Sequence, residues 1–373
     1  MILLLHHRYR HTGGEERAVA DLQWLIREHL HEEAEILERD SGAIGAKDAA
    51  LGLLRGGLNP AEVGDAVRRT GARVVHAHNV NPTFGHRALR AARQAGARVV
   101  LHLHNYRLVC AVATCFTHGE DCTRCHARNT LPGVRLNCRG GSRAESAAYA
   151  AGLALHQKHL TDAADAIVVP SAFALRRLEE LGAPLQGKAR VLPSVQRAFA
   201  ARSGAAEGEF VLAAGRLTPE KGFADVISAC RAVNLPLVIA GDGPQRAELE
   251  ARGGATFLGQ VSPEQLLQLR RRAAVAVVPS RYAEILPLAA LEAMAAGLPT
   301  VAAASGGLTE AVPDEGLYPP GDTDALAERL RALWQNAAAG ERALQAARAR
   351  TAPEFVAEQL RAVYGATSVP ERY

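Results

Sequence analysis

Short apolar runs recur along this chain, most of them stopped by a glycine, proline or histidine and followed by a helical pattern. Met1 to Leu5, Arg73 to Ala77, Val99 to Leu103 and Ala166 to Val169 read as buried strands, and so do Phe210 to Ala214, Leu237 to Ala240, Val275 to Val278 and Thr300 to Ala303. Helical stretches separate them, among them Gly85 to Ala95, Glu145 to Leu160 and Ala325 to Trp334. Strand, turn and helix repeated in this way build parallel sheets covered by helices, because each crossover helix must bury its apolar stripe on the sheet. The expected fold class is therefore α/β and doubly wound, with ligands at the carboxyl ends of the strands. A chain of 373 residues is long enough for two such domains, each with its own core.

Two stretches interrupt the pattern and suggest the boundaries. Residues 197–208 are rich in alanine, serine and glycine without periodicity and read as a linker. The expected organisation is a first domain over 1–196, a second over 209–351, and a last segment, 352–373, whose helix Pro353 to Tyr364 packs back on the first domain. The other interruption, about 106–143, holds five of the six cysteines. Cys122-x-x-Cys125 stands at its centre, with Cys110 before it and Cys138 after it. That spacing can wrap a structural zinc through Cys110, Cys122, Cys125 and Cys138, supplying folding free energy to a loop with little apolar content. Reduced or disulfide-bonded thiols are the alternative, and Cys115, His118 or His126 could replace one ligand.

Charge and hydropathy narrow the function classes. A net charge of +4 is too small to argue for nucleic acid. No apolar stretch approaches the length of a membrane span, and the opening MILLLHH is too short for a signal peptide. A cytoplasmic protein is expected, with peripheral contact at the inner face of the membrane left open.

The chemistry concentrates after the strands. Beyond Val275 to Val278 comes a polar loop and then a helix from Leu288 to Gly297, with Pro287 at its first position. The unpaired amides of such an N-terminus, around Leu286, Pro287 and Leu288, favour a phosphate. Glu284 and Glu292 flank this anion site, and carboxylates accept hydrogen bonds from sugar hydroxyls. After Phe210 to Ala214 the loop Gly215 to Gly222 carries Arg216 and Lys221, a plausible diphosphate clamp. Lys221 is one of only four lysines in the chain. Gly13 and Gly14 follow the first strand, where they permit close approach of a phosphate or simply make a tight turn. His104 lies beyond Val99 to Leu103, at the end from which a side chain can reach a bound ligand. Asp322-Thr323-Asp324 resembles a metal-binding acidic pair but reads better as a helix N-cap.

Together these motifs resemble the GT-B glycosyltransferases, specifically the large retaining family 4. The resemblance rests on Gly215-Arg216, Glu220-Lys221-Gly222, Gly241-Asp242-Gly243-Pro244, Glu284, Glu292-Ala293-Met294, Gly297-Leu298-Pro299 and Gly306-Gly307 with Glu310. In the first domain it rests on Gly13-Gly14-Glu15, His78-Asn79, His104-Asn105-Tyr106-Arg107 and Cys110, as in a subgroup with a cysteine-rich insert. It implies two Rossmann-like domains facing a central cleft, and transfer of a sugar from a nucleotide-diphosphate-sugar donor with retention at the anomeric carbon. The acceptor would be a bacterial polysaccharide, a glycolipid or a small molecule. Arg216 and Lys221 would neutralise the diphosphate without a catalytic metal, helped by the helix N-terminus. Glu292 would hold the ribose, Glu284 the transferred sugar, His104 would sit near donor sugar and acceptor, and Gly14 would approach the phosphates. Asn105 stands where the family usually has aspartate, and Ile285-Leu286-Pro287 replaces the commoner aromatic-glycine pair. A GT-B-like phosphorylase or nucleotide-sugar epimerase, and a catalytically silent scaffold, are the competing readings.

Overall fold

The computed structural model describes residues 1–8, 13–139, 141–285 and 287–365. The chain divides into two compact units. The first comprises Met1–Cys115, Cys122–Val195 and the chain from Pro353, and the second comprises Phe116–Asp121 and Gln196–Ala352.

The first unit is built on a six-stranded parallel sheet in the order β2-β1-β3-β4-β7-β8. The strands are β1 (Ile2–Arg8), β2 (Ala34–Asp40), β3 (Val74–His78), β4 (Arg98–His102), β7 (Ala166–Val169) and β8 (Ala189–Val191). A two-stranded antiparallel ribbon, β5 (Phe116–Thr117) with β6 (Glu120–Asp121), lies between β4 and β7 in the chain. β2 was not read from the sequence, because AEILERD mixes charged with apolar residues and is only partly buried. On one face of the sheet Ile2, Leu4, Val74, Val100 and Val168 pack with the helix Gly14–His29. The helix Pro353–Val363 completes this core with Val356, Leu360 and Val363.

The second unit carries another six-stranded parallel sheet, in the order β11-β10-β9-β12-β13-β14. Its strands are β9 (Phe210–Ala214), β10 (Leu237–Ala240), β11 (Thr256–Phe257), β12 (Ala273–Val278), β13 (Thr300–Ala303) and β14 (Leu317–Tyr318). β12 is buried along its whole length, as its unbroken alanine and valine run requires of a strand covered on both faces. From β9 the chain continues to β10 on one side and later returns to β12 on the other. The loops after β9 and β12 therefore flank the point where the strand order reverses, the usual ligand crevice of an open parallel sheet.

The stretch 197–208, expected as a linker, is instead part of the second unit. Ser203 accounts for this: its hydroxyl donates to the Gly297 carbonyl at 2.6 Å and its amide to Glu341 at 2.6 Å. Ala205 is fully buried beside it. A small-residue composition that reads as flexible here serves close packing.

Candidate functional site

In the second unit the loops after β9 and β12 are tied together by backbone and side chains. The Arg281 amide donates to the Glu220 carbonyl at 2.9 Å, and the Arg281 guanidinium grips Asp225 through two bonds of 2.9 and 2.6 Å. Lys221 donates to Glu284 at 2.6 Å and lies 3.3 Å from the Tyr282 hydroxyl. Tyr282 in turn donates to the second oxygen of Glu284 at 3.0 Å, and Ser280 bonds the first. Only 5% of Glu284 is exposed, so a carboxylate there requires these partners. Burial alone would lower the Lys221 pKa, but Glu284 and Tyr282 outweigh it and hold the ammonium firmly protonated. Burial and the neighbouring Glu284 push the Tyr282 phenol up, so it remains a hydrogen-bond donor.

The loop bearing Glu284 is fixed from behind by the glycine pair after β13. The Gly307 amide donates to the Glu284 carbonyl at 2.6 Å. Gly306 has φ +60°, and a Cβ there would stand 2.3 Å from the Glu284 nitrogen and 2.4 Å from its oxygen. Glycine is thus required both by the left-handed backbone and by the contact.

The helix beyond the loop runs from Leu288 to Ala295, and its N-cap is Pro287, which supplies no side-chain cap. Pro287 lies one residue ahead of the position expected, and the first-turn amides are left without a capping oxygen. Leu286 lies outside the described residues. Glu292 points to Arg270, with which it forms a largely buried ion pair. The Arg216 side chain is 62% exposed and reaches Glu220 at 3.5 Å. The structure therefore brings Lys221 and Glu284 into contact, gives Glu292 a partner from another helix, and leaves Arg216 at the surface.

In the first unit Gly13 and Gly14 open the helix Gly14–His29, and neither has positive φ. Among the described residues a Cβ at Gly13 would meet a Glu16 oxygen at 3.6 Å, an ordinary contact. His104 is buried, and its Nε2 lies 2.7 Å from His78 Nδ1. Burial, then His6, lowers its pKa to about 3, while Glu16 opposes the shift. A small pocket beside it is lined by Asn79, His102, His104, Asn105 and Arg107. Asn105 donates to Glu15 at 2.6 Å, and Arg107 donates to Asn79 at 2.9 Å.

Among the described residues, the set of three metal-ligand side chains with donor atoms within 4.8 Å of one another is His76, His78 and His102. Cys110, Cys122, Cys125 and Cys138 do not form a set that tight, although Cys110, Cys138 and Cys122 all lie near Cys125. Cys110 turns instead to Cys115: a hydrogen bond from that thiol, with backbone amides of the same loop, lowers the Cys110 pKa to about 6 against the opposing effect of burial. Burial, with Cys110, Cys138 and Cys122 nearby, raises the Cys125 thiol to about 11.

Sequence reasoning missed Ser280, Tyr282 and Arg270 as partners of the two glutamates, and it missed His76 and His102. The histidines had a readable signal: His76-Ala77-His78 and His102-Leu103-His104 are alternations that place both histidines of each pair on one face.

Residues 196–350 match the family model described as Glycosyl transferases group 1. That stretch makes up most of the second unit and contains both loops. A glycogen synthase of Mycobacterium tuberculosis is 39% identical over 169 residues, 41% of this chain and 40% of that protein. The chain thus matches about two fifths of the length of this curated relative. Over nearly the whole chain the likeness is structural. Sucrose-phosphate synthase from Thermosynechococcus elongatus superposes with a TM-score of 0.67 at 18% identity, covering 97% of this chain and 98% of that one. Anabaena Alr3699/HepE, solved in complex with UDP and glucose, gives 0.64 at 17% identity, covering 98% and 99%. The fold is GT-B, with two parallel doubly wound sheets. Among the described residues no helix is long and apolar enough to cross a membrane.

Proposed function

We propose that the protein is a retaining glycosyltransferase that moves a hexose from a nucleotide-diphosphate-sugar donor to a polysaccharide, glycolipid or small-molecule acceptor. The observation that carries this reading is the Lys221–Glu284 pair at the strand-order reversal of the second sheet. A donor laid there would meet a held cation for its diphosphate and a carboxylate for its sugar hydroxyls. Negative charge grows on the diphosphate as the glycosidic bond breaks, so fixed positive groups nearby lower the barrier. In this reading Lys221 moves from Glu284 toward the phosphates, joined by Arg216 and by the uncapped first turn at Leu288. Glu284 is then released to bind the sugar, with Ser280 and Tyr282 keeping it in place. Glu292 accepts from the ribose hydroxyls while Arg270 holds it. Gly13 and Gly14 admit the phosphates closely, and His104 with its pocket faces donor sugar and acceptor. The reading requires no metal at the reacting centre, and a zinc on Cys110, Cys122, Cys125 and Cys138 would be structural only.

The relatives support a sugar-transfer chemistry, and the neighbour solved with UDP and glucose makes uridine diphosphate the first nucleotide to try. The test is a thermal-shift screen against UDP, GDP, ADP and dTDP and their sugars. A ligand present at a hundred times its dissociation constant stabilises the native state by about 2.7 kcal/mol, which is readily measured. A clear upward shift with one nucleotide names the donor base, and transfer to an acceptor then follows by product analysis. Cooperative melting that no nucleotide shifts would overturn the reading in favour of a silent scaffold.

A further inference from the structure

The first unit holds a group of imidazoles of which the proposed transfer chemistry uses only His104 and the pocket beside it. β1, β3 and β4 pair in a register that sets His6 beside His78 and His78 beside His102. The two-residue period then adds His76 and His104 to the same face. Ring planes stack down each strand: His76 on His78 with centroids 4.6 Å apart, and His102 on His104 at 3.9 Å. The apolar face of the sheet thus gives way at its carboxyl end to a wall of imidazole.

We propose that His76, His78 and His102 form a buried binding site for a zinc-class divalent transition ion. Three observations carry this. First, one nitrogen from each of the three rings lies within 4.8 Å of the others, and His76 Nε2 stands 3.2 Å from His102 Nδ1, in a hydrogen bond that a bound ion would replace as the His102 proton moves to its Nε2. Two nitrogens on a tetrahedral zinc at the usual ~2.05 Å are about 3.3 Å apart, so that edge already has the right length. Second, outer partners are in place. His76 Nδ1 lies 2.8 Å from the Tyr364 hydroxyl, and His78 Nδ1 lies 2.7 Å from His104 Nε2. Histidine ligands characteristically donate the proton of the nitrogen that does not bind metal to such a partner, which fixes the tautomer and aims the other nitrogen. With the protons on the two Nδ1 atoms, His76 and His78 both present Nε2 lone pairs. Third, His78 is fully buried, yet its Nε2 has no hydrogen-bond partner among the described residues. A buried nitrogen left in this way keeps its desolvation penalty uncompensated, a penalty that a coordinated ion removes.

The donor set also selects the ion. Three imidazoles with no carboxylate or thiolate among them suit zinc, copper or nickel over calcium or magnesium. Glu16, 3.8 Å from His6, brings a negative charge into the neighbourhood. The ion would bridge β3 and β4 and, through Tyr364, bind the end of the C-terminal helix to the sheet, so its role is structural.

The test uses the full chain, stripped with a chelator and dialysed first against Co²⁺ and then against Zn²⁺. We expect about one ion per chain, visible d–d bands for cobalt without the near-ultraviolet thiolate charge-transfer band, and a raised melting temperature. His78→Asn and His102→Gln should lose the ion and the shift, whereas Cys122→Ser should keep both. Failure of the wild-type chain to retain an ion overturns the site, as does loss of the ion from Cys122→Ser together with its retention by the histidine variants. Should the histidine variants not fold, X-ray absorption on the cobalt-loaded wild type decides: a nitrogen-only ligand shell supports the site and a sulfur shell overturns it. None of these measurements depends on transferase activity.

Discussion

The carboxyl end of the second unit's sheet holds full charges, Lys221 against Glu284, whereas the same end of the first unit's sheet holds imidazoles that burial keeps neutral. Both sheets are parallel, six-stranded and reverse their strand order beside the first strand. Topology therefore supplies a crevice in each, and the side chains at the strand ends determine what each crevice can attract. Paired charges can exchange partners with an anionic ligand at modest cost, because ammonium and carboxylate remain solvated by something throughout. Stacked neutral rings offer lone pairs and N–H groups but no net field, which suits hydroxyls or a metal ion better than phosphates.

The comparison can be broken most decisively at its charged half. Glu284→Gln preserves the side chain's shape and should lower transfer by about 10²-fold or more with the melting temperature little changed. Lys221→Met should lower it as far and destabilise the second unit as well, since Glu284 would be left buried without its cation. Wild-type rates in both variants would remove the charge pair from the chemistry. Gly306→Ala comes next: its Cβ would strike the Glu284 backbone, and a loss of roughly 2–3 kcal/mol is expected in urea unfolding.

The neutral half responds to pH. His7, on the opposite face of β1 from His6, has its pKa lowered from 6.5 to about 4, chiefly by burial and then by His6, Arg107 and Arg39. The unfolded chain binds the proton more tightly, so stability is full above pH 6.5 and falls as the pH drops toward 4. Chemical denaturation across that window should show the decline, to which His7 contributes on the order of 1–3 kcal/mol, and His7→Asn should make it shallower while the other buried histidines keep the remainder. The smallest effect is expected for Ser280→Ala, about 1 kcal/mol, because Glu284 keeps Lys221 and Tyr282 as partners.

Much of this arrangement was legible in the sequence, and the omissions share a cause. Strands β3, β4, β9, β12 and β13 were readable because buried parallel strands are continuously apolar and end in turn residues. β2 escaped because its burial is partial and its charges obscure the alternation. Lys221, Glu284 and Glu292 could be named singly from loop and helix context. Their partners could not be paired in advance, since Lys221 and Glu284 are 63 residues apart, and Arg270 and Glu292 are 22 apart on separate elements. The cysteine spacing was only half informative for a related reason: C-x-x-C fixes two ligands locally, but the positions of Cys110 and Cys138 depend on the tertiary path of the insert.

The helix Pro353–Val363 has a consequence for how the molecule is made. It lies in the core of the first unit, and Tyr364 just beyond it bonds His76 across 288 residues of sequence. Gln196–Ala352 is an insertion, in chain order, between two parts of one folding unit. On the ribosome the first sheet is synthesised first yet cannot close its core until the residues near 364 emerge, roughly 10–30 s later at ordinary elongation rates. The second unit, although synthesised later, has nearly its whole core in one uninterrupted stretch and can fold before the first is finished. During that interval the apolar face of β1, β3 and β4 is uncovered where the last helix belongs, and it is the surface a holding chaperone would find.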